Sequence, residues 1–305
     1  MAVDRRSILK ALAGSAVAAA ATSGRALAAV ERKKVPAEAV GLLYDATRCI
    51  GCKACVVACR EANDLPADPG PFQDRIYQAP IDLNDRTKNI IKLYKDADTV
   101  SYMKVQCMHC VDPACASACM LGALSKDKLG IVSWDGSRCV GCRYCQMACP
   151  FNIPKFEWRA RNPKIVKCEL CRHLLAKGGI PACAKACPRE AVLFGKRVEL
   201  LADAKRRIAD HPGRYVPKVY GESDAGGTQV LYLSAVPFEK LGLPDLGDAP
   251  VPEAARLIQH GVYKGFIAPA ALYAILGTVV FRNRRQALAE ETPAGDAAGT
   301  RESLP

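Results

Sequence analysis

Aromatic side chains are scarce, 6% of the 305 residues, and histidine occurs only four times. No segment supplies a flavin fingerprint, a nickel site or a pterin pocket, which leaves the chain without the means for bond chemistry of its own. Uncharged apolar runs are short, apart from one near the C-terminus. No cysteine is left over, because all sixteen fall into four groups of four. A casual scatter of thiols is thereby excluded, and disulfides, zinc or iron-sulfur clusters remain.

Half of the residues are apolar, enough to bury a core in one large domain or two small ones. The N-terminus reads "MAVDRRSILKALAGSAVAAAATSGRALAAV". Arg5-Arg6, the weakly apolar stretch Ala11 to Ala21 and the triplet Ala26-Leu27-Ala28 make residues 1–28 a twin-arginine signal, with cleavage expected after Ala28. The other reading is a short apolar helix with chance arginines. An oxidising destination normally favours disulfides. The twin-arginine route, however, moves proteins already folded around their cofactors, so thiolates can arrive occupied by metal.

The formal charge of +12 taken alone suggests nucleic acid or anionic lipid. Loss of residues 1–28 would remove Arg5, Arg6, Lys10 and Arg25 together with Asp4 and leave +9; four 4Fe-4S clusters on sixteen thiolates would add about −8, which brings the loaded protein near neutrality and makes the basic excess an internal compensation.

The first cysteine group is Cys49, Cys52, Cys55 and Cys59, and the second is Cys107, Cys110, Cys115 and Cys119. The third, "CVGCRYCQMACP", holds Cys139, Cys142, Cys145 and Cys149, and the fourth is spread over Cys168, Cys171, Cys183 and Cys187. Groups one and three form an internal repeat, "DATRCIGCKACVVAC" against "DGSRCVGCRYCQMAC", as duplication of a two-cluster module would leave. In C-x2-C-x2-C, three thiolates lie on one tight turn and suit three corners of a cubane. The fourth cysteine, after three intervening residues and often followed by proline, reaches a neighbouring cluster. Pro150 follows Cys149, whereas Arg60 and Met120 stand after the last cysteines of groups one and two. Group four alone would also pass as a zinc knuckle, since zinc takes two separated C-x2-C pairs. His109, inside "CMHC", is read as packing near a cluster rather than as a ligand.

Strands are expected over Gly130 to Trp134, Ala191 to Gly195 and Thr228 to Leu233. A helix is expected over Val198 to Asp210, with Leu200, Leu201, Ala204 and Ile208 on one face. Residues 215–260, rich in Gly and Pro, read as an extended arm. The uncharged stretch Gly265 to Phe281 reads as a short membrane span within 261–285, flanked by Lys264 and Arg282. A buried core helix is the other reading. Arg282 to Arg285 would face the cytoplasm by the positive-inside rule, and 286–305 would be a disordered tail. His260 is read as an interfacial histidine, with a quinone head group or a partner as the other reading.

These features together resemble the four-cluster iron-sulfur subunits of membrane-bound respiratory oxidoreductases. Within that set, "VYGESDAGGTQVLYLSAVPFEKLGLP" and "IQHGVYKG" resemble the electron-transfer subunits of uptake NiFe hydrogenases. The resemblance implies an α+β fold, duplicated bacterial two-cluster ferredoxin-like domains with long insertions over 29–214, and a C-terminal transmembrane helix. It implies four 4Fe-4S clusters held by Cys49, Cys52, Cys55 and Cys187, by Cys59, Cys168, Cys171 and Cys183, by Cys107, Cys110, Cys115 and Cys149, and by Cys119, Cys139, Cys142 and Cys145. It further implies a non-catalytic relay on the periplasmic side of the inner membrane. The partners would be hydrogenase large and small subunits and an integral membrane quinone-interacting subunit, with no nucleic acid. A formate dehydrogenase or sulfur-compound reductase is the alternative setting, and a membrane-tethered zinc-binding protein the remote one.

Overall fold

The computed structural model describes residues 33–66, 82–161, 163–253 and 267–290. The expected signal over 1–28 and His260 lie outside the described residues. Residues Glu31–Glu253 fold as one unit, and the C-terminal helix belongs to another.

Strand β1, Val40–Asp45, is buried almost throughout and reads as a nearly unbroken apolar run, as a strand covered on both faces should. It lies at the centre of a three-stranded sheet, between β8, Val192–Lys196, antiparallel to it, and β9, Val230–Leu233, parallel to it. Gly41 permits this close pairing, since a Cβ there would lie 2.0 Å from the carbonyl oxygen of Gln229. Three hairpins complete the strands: β2, Asn89–Lys95, with β3, Val100–Gln106; β4, Leu124–Lys126, with β5, Val132–Trp134; and β6, Lys155–Phe156, with β7, Ile165–Val166. Strands β5 and β9 fall inside two of the stretches expected from sequence, and β8 runs one residue past the third, to Lys196.

The helices are α1, Ala54–Ala62; α2, Ala114–Ser117; α3, Tyr144–Ala148; α4, Arg172–Leu175; α5, Ala182–Lys185; and α6, Arg197–Asp210. Helix α1 packs on α5, and α2 packs on α3. Helix α6 presents the expected apolar face: Leu200 and Ala204 are buried with Leu43, Leu231 and Tyr215, and Leu201 and Ile208 pack at its edge. A buried carboxylate pins this helix to the sheet, for Asp45 accepts from Arg207 at 3.1 Å and from the Tyr215 hydroxyl at 3.0 Å.

Residues 215–253 depart from the expected extended arm. Turns at Gly221, Gly226 and Gly227, all at positive φ, return the chain so that β9 lies on β1. Tyr220, Tyr232 and Phe238 are buried in the principal core, with the Tyr220 hydroxyl donating to the carbonyl of Pro244 at 2.7 Å. Glycine and proline serve tight turns here rather than an open linker.

In the second unit, helix α7 runs from Ile267 to Glu290. Its uncharged part ends at Arg282, with Arg284 and Arg285 following. Among the described residues no helix is long and apolar enough to cross a membrane; of the span expected over Gly265 to Phe281, the described part, Ile267 to Phe281, is helical. Residues 286–290, expected in a disordered tail, continue this helix.

Candidate metal centres

The first C-x2-C turn of each of the four groups shares one backbone device. The residue just before the second cysteine is left-handed in each: Gly51 at φ 70°, His109 at 48°, Gly141 at 71° and Leu170 at 49°. This conformation turns the chain back on itself within four residues. Glycine is required at position 51 for a second reason, because a Cβ there would meet the Tyr102 ring at 2.3 Å. In groups one and three a second left-handed residue, Lys53 or Arg143, starts the helix that carries the next cysteine. The repeated sequence thus becomes a repeated fold.

The packing of α1 on α5 and of α2 on α3 brings group one to group four and group two to group three. A cavity near β1 is lined by Cys49, Cys52, Cys55 and Cys187. A second, of about 190 Å³, is lined by Cys119, Cys139, Cys142 and Cys145. Cys59 neighbours Cys168, Cys171 and Cys183, and Asn63 Nδ2 lies 3.7 Å from Cys59 Sγ and 3.9 Å from Cys171 Sγ. Cys110 neighbours Cys107, Cys115 and Cys149. Between these sets, Cys55 neighbours Cys183, Cys168 neighbours Cys107, and Cys115 neighbours Cys145.

The donor chemistry fits cuboidal clusters. Every thiol is free of disulfide. Backbone N–H groups point at sulfur in both halves: Gly51 to Cys49 at 3.4 Å, Ala123 to Cys119 at 3.2 Å, Leu170 to Cys168 at 3.4 Å and Ala191 to Cys187 at 3.2 Å. Such bonds to cluster sulfur tune reduction potential.

Burial governs the thiols. It pushes Cys55 and Cys115 up to about 12, although Lys104 opposes it at Cys55 and Lys167 at Cys115. Cys168 and Cys183 rise to about 11 for the same reason, again opposed by Lys104. Metal-free, these groups hold their protons at neutral pH, so taking up iron must release protons. Cys142, by contrast, is exposed. His109 is fully buried, and burial followed by the charges of Lys167 and Lys126 holds its imidazole well below the usual histidine range. Its Nδ1 accepts from the Val132 N–H at 3.0 Å, which fixes the ring beside Cys107 and Cys110.

Two features escape inspection of the cysteine spacings. One is a second internal repeat, "PACASAC" from Pro113 and "PACAKAC" from Pro181. In each copy the proline precedes a one-turn helix, α2 or α5, whose second residue is Cys115 or Cys183. It was visible in the sequence. The other, the burial of Lys104 and Lys167, had no sequence signal, since lysine is normally at the surface.

Two family profiles described as "4Fe-4S dicluster domain" match residues 48–123 and 99–197. The protein called Hydrogenase-2 operon protein HybA from Escherichia coli O157:H7 is 39% identical over 318 aligned positions, covering 93% of this chain and 96% of that one. The formate dehydrogenase iron-sulfur subunit of Haemophilus influenzae is 35% identical over 64% of each chain, and the nitrate-inducible formate dehydrogenase iron-sulfur subunit of Escherichia coli K12 is 36% identical over 64% of this chain and 67% of its own. Taken with sixteen cysteines that suffice for four 4Fe-4S clusters, likeness along nearly the full length of both chains shows that this chain belongs to the HybA family of iron-sulfur subunits, electron relays of oxidoreductase complexes.

Proposed function

We propose that this chain carries electrons from an exported NiFe hydrogenase to a membrane partner that reduces quinone. Hydrogen oxidation in the catalytic partner yields two protons and two electrons, and quinone reduction consumes two of each. This chain makes and breaks no bonds; its side chains hold, insulate and tune four 4Fe-4S clusters, which supply the one-electron steps when bound. The ligand sets are Cys49, Cys52, Cys55 and Cys187; Cys59, Cys168, Cys171 and Cys183; Cys107, Cys110, Cys115 and Cys149; and Cys119, Cys139, Cys142 and Cys145. The observation that carries the proposal is that the sets adjoin in series, through Cys55 and Cys183, then Cys168 and Cys107, then Cys115 and Cys145. A wire needs that continuity, whereas a storage or zinc-binding role does not.

The relative named for the hydrogenase-2 operon supports the hydrogenase partner. The twin-arginine pattern at Arg5-Arg6 supports export, and the run from Gly265 to Phe281 supports membrane attachment. The formate dehydrogenase relatives favour a second setting, in which the same relay serves a formate-oxidising partner.

Gentle purification of the native complex with iron analysis and mass spectrometry of the co-purifying chains tests both. A hydrogenase pair with on the order of sixteen irons per chain is the expected result. A formate-oxidising subunit in its place would move the relay to the second setting, and a colourless, zinc-bearing chain would end the relay reading.

A further inference from the structure

Two lysines are buried inside the cluster unit, Lys104 fully and Lys167 at 2% exposure. Burying an ammonium is costly unless an opposite charge is close. No carboxylate lies within ion-pair distance of either among the described residues. The Lys104 ammonium donates to the side-chain oxygen of Gln106, a neutral group. The Lys167 ammonium donates to the carbonyl of Val132 and, at 3.1 Å, to that of Cys168. These bonds satisfy donors and leave the charge unbalanced.

What surrounds the two charges is thiol sulfur. Lys104, on β3, stands among Cys55 of the first set and Cys59, Cys168 and Cys183 of the second. Lys167 precedes Cys168 of the second set in the chain and acts on Cys107, Cys115 and Cys149 of the third. Each lysine therefore occupies a junction between successive sets. The backbone holds both there: the carbonyl of Lys104 accepts from the Tyr232 hydroxyl at 2.8 Å, and Lys167 directly follows β7.

We propose that Lys104 and Lys167 are built-in countercharges of the relay, placed at the first and second junctions to stabilise the added electron and so raise the reduction potentials of the sets they adjoin. The proposal rests on the relay reading. Each set becomes one unit more negative when it takes an electron from its neighbour, and a fixed cation in a poorly screened interior favours that state. The fourth set has no such neighbour among the described residues: Cys145 is influenced by Cys119, Cys139 and Cys142, and the arginines lining its cavity, Arg138 and Arg143, stand at the surface. The interior of the wire is therefore held at higher potential by charge, and the fourth set is set by its exposure and backbone bonds.

The test is a potentiometric titration of the full-length protein, followed by electron paramagnetic resonance, for wild type, Lys104→Met, Lys104→Arg and Lys167→Met. Lys104→Met should lower the potentials of the first two sets by at least a tenfold change in the reduction equilibrium, 59 mV for one electron. Lys167→Met should do the same to the second and third sets, and Lys104→Arg should restore most of the shift. The fourth set should not move in any variant. Neutral variants with full iron content and unshifted potentials would overturn the proposal while leaving the relay intact. A wild-type protein without four titrating iron-sulfur centres would instead overturn the relay reading beneath it. Should Lys104→Met fail to load iron, Lys104→Gln, which retains a polar group beside Gln106, and Lys167→Met carry the same decision.

Discussion

Replacing Cys149 with serine separates the two ways of reading the third cysteine group. In sequence Cys149 stands four residues after Cys145, in the same cysteine run. In the structure α3 ends at Ala148, and Cys149 itself is extended at φ −79° and ψ 115°. The Asn152 N–H donates to its carbonyl at 3.0 Å, and its thiol neighbours those of Cys107, Cys110 and Cys115. Serine at 149 should therefore disable the set of Cys107, Cys110 and Cys115, so that iron falls by about a quarter, one cluster of four. That set lies inside the series, so electron transfer through the oxidoreductase complex should fall much further than the iron content does. The assay is iron per chain together with paramagnetic resonance spectra, compared with those of Cys110→Ser and Cys142→Ser. The spectrum missing from Cys149→Ser should match that missing from Cys110→Ser. A match to Cys142→Ser, with the Cys110-dependent signal intact, would refute the assignment.

Gly41→Ala should destabilise the folded protein by about 1–3 kcal/mol, because its Cβ would be driven against the Gln229 carbonyl between β1 and β9; chemical denaturation of the iron-loaded protein measures it. Arg207→Met should cost roughly 3–5 kcal/mol, since it leaves the buried Asp45 carboxyl with only the Tyr215 and Thr47 hydroxyls and one N–H to satisfy it; an unchanged midpoint would show that the pair is dispensable. Stripping iron with a chelator should loosen the regions around α1, α2, α3 and α5 first, because their cysteines belong to the cores there. The cluster of Leu43, Leu200, Ala204 and Leu231 contains no cysteine, so hydrogen exchange should find the amides of α6 protected longest.

The sites were more legible in the sequence than the fold around them. Metal-binding turns are local: spacing, a glycine at 51 or 141 and a proline at 150 are written in adjacent residues, and the first-and-third repeat was plain. The equivalence of His109 and Leu170 to those glycines was not, because only the backbone shows that all four positions are left-handed. The region after residue 215 was misjudged for a physical reason. Its glycines and prolines signal a break in regular structure equally well when they form an open linker and when they fold a strand back onto a sheet. The contact between Gly41 and Gln229 that decides between these is distant in sequence.

Charge gives the sharpest contrast between composition and structure. The net +12 invites the view that the whole basic excess neutralises the clusters. Burial divides that excess: among the described residues, only Lys104, Lys167 and Arg197 are buried cations. Arg197 donates to the carbonyls of Thr228, Gly221 and Glu222 and so holds the 221–228 turn together. Two buried lysines thus remain to act on the thiols from within, half-buried Lys126 acts on Cys110 from its edge, and most of the other basic residues are screened by solvent. Overall neutrality consequently says little about potentials. A charge of one unit at a dry junction changes an adjacent set more than many at the surface. Substituting exposed lysines such as Lys128 or Lys177 should leave every potential unchanged in the titration that detects Lys104→Met, and a shift of equal size from those surface variants would show that summed charge, not placement, controls the relay.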